Sequence, residues 1–111
     1  FYGDGSTRRD YTYVDDIVDG VVAALDRCQG YEIYNLGESA ITTLFELVRL
    51  IGERCGREPL LERLPLQPGD VTVTYADIEK ARARLGYRPS VPVAEGLSRY
   101  VEWVHGNGPA H

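Results

Sequence analysis

GDGSTRRDYTYVDDI, the segment of residues 3–17, combines a glycine turn, a short extended stretch and the start of a helix. Its two glycines supply the positive backbone angles that a tight turn tolerates. The alternation that follows predicts a strand with Arg9, Tyr11 and Tyr13 on one face. An arginine held there is suited to clamp a phosphate, because its guanidinium is a permanently charged, planar fork of donors.

A dinucleotide-binding turn is the other interpretation of these glycines. That motif needs a third glycine where the chain has Arg8, and it needs a helix directly after the turn. Here the predicted extended stretch takes the place of that helix. We therefore expect no cofactor-binding residues in this segment.

Composition and charge narrow the function classes. The 111 residues suffice for one domain, with 43% apolar and 26% charged residues. No apolar run approaches the roughly 18 residues of a membrane helix, so we expect no membrane partner and, by default, a cytoplasmic location. The 17 acidic and 12 basic residues give a net charge of -5, which argues against a nucleic-acid binder with a basic surface.

The two cysteines, Cys28 and Cys55, fall at apolar positions of predicted helices. This placement favours buried free thiols over a disulfide bridge or a ligand pair. Neither cysteine has a histidine neighbour at ligand spacing, so the sequence predicts no metal site.

The first helix should follow the opening segment and end near Gly30. Asp15 or Asp16 is expected to cap it, and capping with favourable helix-dipole charge explains these acidic residues better than a metal site does. Gly20 within this helix indicates close packing against a neighbour. The apolar residues at helical spacing, which should be buried, are Ile17, Val21, Ala24, Leu25 and Cys28.

Further signals predict three more helices and short strands. Thr43 and Glu46 have the spacing of a capping box, and Gly56 should end the helix that begins there. Pro68 and Gly69 suit the central positions of a type II turn. The remaining predictions are a helix from Asp77 to Gly86, a helix over 93–104, and strands over 31–36, 60–66 and 71–75.

The opening segment resembles the start of the C-terminal, substrate-binding portion of the extended short-chain dehydrogenase/reductases that act on nucleotide sugars. It is most similar to the UDP-glucuronate and UDP-glucose 4-epimerases. Later stretches agree in order and spacing, so that the resemblance covers almost the whole chain: Tyr34-Asn35-Leu36-Gly37, Gln67-Pro68-Gly69-Asp70-Val71, Thr74-Tyr75-Ala76-Asp77-Ile78, Leu85-Gly86-Tyr87-Arg88-Pro89 and Glu95-Gly96-Leu97.

The resemblance implies an α/β fold of helices with short strands, which lacks the main Rossmann sheet of those enzymes. We expect one nucleotide-sugar-binding domain over residues 1–105 and a flexible tail over 106–111. The chain starts at Phe1 and contains no methionine, which indicates a fragment of a longer enzyme. The strand over 31–36 would then have lost its partner, so we expect the fragment to associate with itself.

Three residues match substrate-binding positions of the family. Arg9 corresponds to the arginine of the RDY or RDF motif, which contacts the diphosphate, and Asp70 to the aspartate of the PGD motif, whose carboxylate is suited to accept hydrogen bonds from the ribose hydroxyls. Gln67 stands where some 4-epimerases have a second phosphate-binding arginine and where glucuronate-type relatives tend to have glutamine. The residues alone leave blander roles open: Arg9 could pair with Asp10 or another carboxylate, and Asp70 could cap its own turn.

The family's catalytic pair, a tyrosine followed four residues later by a lysine, is not in this sequence. The single lysine is Lys80, and Ala76 stands four residues before it. The glycine-rich turn for NAD is missing as well. The resemblance thus implies that NAD binding and proton transfer belong to an absent N-terminal half.

For the intact protein, the resemblance implies an NAD-dependent UDP-sugar 4-epimerase, in which hydride leaves the sugar C4 and returns to its other face. It also implies a homodimer. The isolated fragment should be inactive, should bind no NAD, and should keep at most weak affinity for the nucleotide-sugar substrate.

Two other interpretations remain. The chain could be the corresponding part of a dTDP-glucose 4,6-dehydratase or a UDP-sugar decarboxylase, which share the overall plan. It could also be a stand-alone binding or interaction domain without catalysis.

Overall fold

Four helices accompany a two-stranded antiparallel sheet in the computed structural model, which describes residues 1–107. The strands are β1 (Arg8–Arg9) and β2 (Thr42–Thr43), and the helices are α1 (Val14–Arg27), α2 (Leu44–Cys55), α3 (Glu79–Leu85) and α4 (Val93–Asn107). Helix α1 packs against α3, and α2 packs against α4. The predicted fold of helices with short strands, without a full Rossmann sheet in the described range, is confirmed.

Local capping chemistry sets the ends of α2 and α3. The Thr43 hydroxyl accepts the N–H of Glu46 at 3.1 Å, and Gly56 ends α2 with a φ of 67°. Gly86 ends α3 in the same left-handed conformation, with a φ of 68°, and the Asp77 carboxylate accepts an N–H at the start of α3. Both ends of α2 and the C-terminal end of α3 are confirmed, whereas α3 begins at Glu79, after Ile78, which makes no side-chain cap.

Helix α1 differs from the prediction at its N-terminus. It begins after Tyr13, which makes no side-chain cap, and it ends at Arg27, three residues before the predicted end. Asp16 is 2% exposed, and its carboxylate accepts the N–H groups of Ser90 and Val91. The prediction that Asp15 or Asp16 caps the helix is therefore wrong, because both lie inside the first turn and a distant pair of N–H donors binds the Asp16 carboxylate.

A small core lies between α1 and α3. Its buried members are Ile78, Ala81, Leu85 and Tyr87, against which Ala23, Ala24, Tyr34, Leu36 and Ala76 pack. Gly20 of α1 is buried here, and a Cβ at this position would lie 2.7 Å from Leu36 Cδ1. The close approach that Gly20 indicated is confirmed.

Helix α1 also carries an apolar stripe on its outer side. Its members are 48–79% exposed: Val14, Val18, Val21, Val22 and Leu25. The prediction that Val21, Leu25 and Cys28 are buried is wrong for this chain, and Cys55 is exposed as well. The periodicity predicts that this face of α1 is packed against another element, but no described residue packs against it.

The strands predicted over 60–66 and 71–75 form only one isolated bridge each. Tyr2 pairs with Leu64 and Arg8 pairs with Val73, each over a single parallel bridge. Residues 31–36 form no strand in the described structure, so that prediction is wrong. Alternating side chains give a segment a strand's pattern, but a strand forms only where a neighbouring backbone supplies hydrogen bonds.

The last helix extends beyond its predicted end. Helix α4 reaches Asn107, two residues into the segment that was predicted as a flexible tail. Residues 108–111, which make up the rest of that tail, lie outside the described residues. No helix in the described range combines the length and apolar character that a membrane crossing requires.

Candidate functional site

Arg9 and Asp70 are 61 residues apart in the sequence and meet at one edge of the structure. Arg9 Nη2 donates to Asp70 Oδ1 at 2.8 Å and to the Val71 carbonyl at 2.7 Å. The two side chains keep 26% and 38% of their exposure, so a ligand can reach both. The carboxylate beside Arg9 is therefore Asp70 and not the adjacent Asp10.

A tight turn presents Asp70. The Asp70 N–H donates to the Gln67 carbonyl at 3.1 Å, and Gly69 has a φ of 81°, as a type II turn with Pro68 requires. The predicted turn is confirmed. Gln67 is exposed at the start of this turn, so the three predicted site residues share one region of the surface.

Strand β1 is held on both sides, which fixes the backbone that carries Arg9. On one side it pairs with β2. On the other side Arg8 donates to the Thr72 carbonyl at 2.8 Å and accepts the Thr74 N–H at 3.1 Å. Because that partner segment begins directly after Asp70, this pairing sets the distance between the two site residues.

Asp10 ties three chain segments together directly after β1. Its carboxylate accepts the backbone N–H groups of Glu38 at 3.0 Å, Ser39 at 2.9 Å and Ala76 at 3.3 Å, and the Thr12 hydroxyl at 3.2 Å. Sequence reasoning missed this role and considered Asp10 only as a partner for the preceding arginine. The sequence signal for this role is the position of Asp10 in the RDY motif, directly after Arg9.

The tyrosines that follow β1 lie against the helices. Tyr11 and Tyr13 line a small cavity of about 160 Å³ between α2 and α4. The cation over the Tyr13 ring is Arg99 of α4, at 5.3 Å from the ring centroid. Because β1 ends at Arg9, the predicted strand face shared by Arg9 and the two rings does not form.

The glycine turn differs in form from a dinucleotide-binding turn. Gly3 and Gly5 have φ values of 78° and 91°, and β1 follows them instead of a helix. A Cβ at Gly5 would lie 2.8 Å from Phe1 Cζ and 3.2 Å from Phe45 Cβ, and one at Gly3 would lie 3.2 Å from Leu66 Cδ1. Side chains of the chain itself lie against both glycines, and a strand follows the turn where a dinucleotide-binding motif has a helix.

Lys80 serves a surface contact. Its Nζ lies 2.7 Å from Glu32 Oε2 and 4.9 Å from the centroid of the Tyr34 ring. Within residues 1–107, no three or more histidine, cysteine or acidic side chains come together in a way that could hold a metal ion.

Comparisons with known proteins agree with this architecture. A family model described as GDP-mannose 4,6 dehydratase matches residues 1–100. The UDP-glucuronate 4-epimerase of Thermodesulfobacterium geofontis is 42% identical over 111 aligned residues, which cover 96% of this chain and 33% of that protein.

Two solved structures are similar in fold as well as in sequence. The UDP-glucose 4-epimerase of Thermotoga maritima with UDP-glucose has a TM-score of 0.87 and 35% identity, over 96% of this chain and 34% of its own. The UDP-glucuronic acid 4-epimerase of Bacillus cereus in complex with UDP-glucuronic acid and NAD has a TM-score of 0.86 and 30% identity, over the same shares.

The chain spans about a third of the length of these relatives. The matched region includes the glycine turn, β1, the turn that carries Asp70, and helices α1 to α3. The chain therefore belongs to the GDP-mannose 4,6 dehydratase family, as a C-terminal portion of the extended short-chain dehydrogenase/reductases that include the nucleotide-sugar epimerases.

Proposed function

We propose that this chain is the nucleotide-sugar-binding part of an NAD-dependent UDP-sugar 4-epimerase. In this proposal Arg9 binds the diphosphate, Asp70 binds the ribose hydroxyls, and Gln67 assists. The observation that carries the proposal is the pairing of Arg9 with Asp70 across 61 residues, with both side chains partly exposed.

The donors of Arg9 support a diphosphate contact. A guanidinium has five N–H groups, and Arg9 uses three of them for Asp70 and for the carbonyls of Arg8 and Val71. The remaining donors can face an anion while these bonds hold the side chain in place. Asp70 is an acceptor only, and a pair of vicinal ribose hydroxyls offers it two donors.

The names of the relatives support uridine as the base and a 4-epimerisation as the reaction. The Thermotoga maritima and Bacillus cereus structures hold UDP-glucose and UDP-glucuronic acid, respectively. Gln67 favours the glucuronate-type branch for this chain, because the resemblance puts it where relatives of that type tend to have glutamine instead of a second phosphate-binding arginine.

NAD binding is proposed for the rest of the intact enzyme. The Bacillus cereus relative was solved with NAD, whereas the glycine turn of this chain differs in form from a dinucleotide-binding turn. When bound, NAD would supply the hydride chemistry. This chain would contribute substrate binding and orientation, and alone it should not catalyse epimerisation.

Titration of this chain with UDP tests the proposed site. Arg9→Gln should weaken UDP binding by about 10- to 100-fold, because a charged hydrogen bond to phosphate is worth about 1.5–3 kcal/mol. Uridine, which has no phosphate, should lose much less affinity than UDP does on Arg9→Gln, because Arg9 acts on it only through its contact with Asp70. Isothermal titration calorimetry measures both affinities.

Arg8→Gln is the matched control. It removes the same charge from the neighbouring residue, whose exposed side chain belongs to no predicted site. If Arg8→Gln and Arg9→Gln weaken UDP binding equally, the diphosphate contact is nonspecific attraction. If wild type does not bind UDP at all, the proposed nucleotide site is wrong.

A dehydratase is the second candidate, because the matching family model is described as GDP-mannose 4,6 dehydratase. The same titration distinguishes the candidates by their nucleotide. Preference for GDP or dTDP over UDP would favour a dehydratase, and preference for UDP favours the epimerase or the decarboxylase.

Association is part of the proposal. We propose that this chain associates with itself, since the outer stripe of α1 is exposed. The homodimer that the resemblance implies stays a prediction for the intact enzyme.

A further inference from the structure

An open groove of about 550 Å³ lies between α2 and the segment that follows it, residues 57–61, and we call it the α2 groove. Its apolar lining is formed by Phe1, Phe45, Val48, Pro59 and Leu61. Phe45 is 59% exposed and Leu61 is 41% exposed, so the described structure leaves this lining in contact with water. A cavity of this size and character is suited to bind an apolar group.

The outer stripe of α1 has the spacing of a helix that docks into such a groove. Four of its residues follow one another at intervals of four, three and four residues: Val14, Val18, Val21 and Leu25. Helices that bind in apolar grooves carry their anchors at this spacing. All four side chains are at least 48% exposed. The chain therefore presents both halves of a helix-in-groove contact.

The stripe and the groove cannot meet within one chain. Helix α1 packs against α3, whereas α2 packs against α4. Moving α1 into the groove would break its packing on the core around Ile78, Ala81 and Leu85. A second copy can supply the helix while both folds stay intact.

The acidic residues of α1 argue against a contact between two outer stripes. Asp15, Asp19 and Asp26 are exposed, and none of them forms an ion pair within residues 1–107. The only basic residue of α1 is Arg27. Two stripes in contact would bring together an excess of like charge, which is destabilising.

The charges of the α2 groove suit an acidic helix better. Arg49 and Glu53 line the groove and pair with each other. Arg57 and Glu58 line it without an ion pair in the described part of the chain. The guanidinium of Arg63, which has no described ion pair either, lies 5.0 Å from the centroid of an aromatic ring in the lining. Two unpaired cations beside one unpaired anion favour an acidic occupant.

We propose that the outer stripe of α1 in one copy docks into the α2 groove of another copy, with its acidic residues towards Arg57 and Arg63. This inference rests on the self-association proposed above and names the two surfaces that carry it. Because the surfaces differ, the contact is heterologous, and each docked pair keeps one free stripe and one free groove. Association then continues into rings or open chains of copies and does not stop at a two-fold dimer.

Two complementary variants test the pairing by sedimentation velocity. Val18→Lys combined with Leu25→Lys blocks the stripe, and Phe45→Glu combined with Leu61→Glu blocks the groove. Each variant alone should sediment as a monomer of 12.4 kDa. An equimolar mixture should form a species of twice that mass and nothing larger, because one intact stripe meets one intact groove.

The contrary outcomes are distinct. Circular dichroism first establishes that both variants keep the helix content of the wild type. If the groove variant associates as the wild type does, or if the mixture stays monomeric while the wild type associates, the proposed pairing is wrong. A monomeric wild type would overturn the self-association itself.

NMR of the wild type tests the pairing without any substitution. On dilution the amide signals of α1 and those of residues 57–61 should shift together, with a single midpoint concentration. The amide of Ala81, which is buried in α3, is the internal control and should not shift. Shifts confined to α1 would indicate that two stripes are in contact and would overturn the proposal.

The charges have their own test. Arg57→Gln should weaken association by about two- to fivefold, which is the range expected for an exposed ion pair. Arg88→Gln removes the same charge from an exposed residue after α3 that does not line the groove, and it should leave association unchanged. Equal weakening by both substitutions would mean that general attraction, and not the groove, receives the acidic residues, and the proposed placement would be wrong.

Discussion

Asp10 is surrounded by donors, which makes its negative charge a structural requirement. Three backbone N–H groups and one hydroxyl point at its two oxygens. A carboxylate can satisfy all of them because it is only an acceptor. Each oxygen accepts from two of these donors, so an amide at this position would turn its NH2 towards two of them and leave at least one backbone N–H without its acceptor. The segment that follows Arg9 would then lose its bond to Glu38 at one oxygen or its bonds to Ser39 and Ala76 at the other.

We expect Asp10→Asn to lower the free energy of unfolding by about 2–4 kcal/mol, because several partly buried hydrogen bonds share this carboxylate. Urea unfolding followed by circular dichroism measures the change. Asp19→Asn, an exposed substitution on α1, should change it by less than about 0.5 kcal/mol. Equal effects of the two substitutions would contradict the role assigned to Asp10.

The polar groups differ in how far the sequence could predict them. Short motifs surround Arg9 and Asp70, so the sequence alone could select them as candidates, and the structure brings the two side chains together. Asp16 and Glu38 could not, since the backbone donors of Asp16 come from 74 and 75 residues away. The groups that surround these two side chains come together only after folding, so no local sequence pattern predicts them.

Helix α1 is the element with two apolar sides. Its inner side holds Gly20, Ala23 and Ala24 against the core, where small residues allow a close approach. Its outer side carries the exposed stripe. A helix that is apolar on both sides is suited to lie between two packed layers of structure. Residues 1–107 supply only one of these layers, the core on the α3 side.

We expect Gly20→Ala to destabilise the fold by about 1–2 kcal/mol. The added Cβ would lie 2.7 Å from both Leu36 Cδ atoms and 3.1 Å from Tyr87 Cε1. Overpacking of this kind costs about 1–3 kcal/mol, which exceeds the roughly 1 kcal/mol that alanine gains over glycine in a helix. Thermal and urea unfolding give the difference.

A Leu36→Ala background is the control for this contact. There the methyl groups at 2.7 Å are gone and the 3.1 Å contact with Tyr87 Cε1 remains, so the same substitution should stabilise the chain by at most about 0.5 kcal/mol. The reversal of sign is the expected result. Stabilisation by Gly20→Ala with Leu36 still present would contradict the close packing.

Helix ends could be predicted better than strands for a physical reason. The Thr43 cap and the Gly56 and Gly86 stops depend on groups within three or four residues. The strand predicted over 31–36 depends on a neighbouring backbone that residues 1–107 do not provide. Tyr31 and Ile33 alternate as in a strand, but they are exposed, and this segment forms no hydrogen-bonded ladder with another strand.

At the scale of the whole chain, the shape is open. The radius of gyration is 16.6 Å and the extents are 48 × 37 × 20 Å. A compact domain of this length has a radius of gyration of about 13 Å. The core between α1 and α3 is correspondingly small. Apolar surface stays exposed to water at the outer stripe of α1 and at Tyr31 and Ile33.

We therefore expect this chain to associate with itself, because association removes the exposed apolar surface from water. Sedimentation velocity should show concentration-dependent species larger than the 12.4 kDa monomer, and a hydrophobic dye should bind. Val18→Lys combined with Leu25→Lys places two charges on the stripe and should shift the chain towards monomer. Leu60→Lys, at a fully exposed residue outside the stripe, should not. A monodisperse wild-type monomer that binds no dye would mean that the stripe is tolerated in water, and its apolar character would then need another explanation.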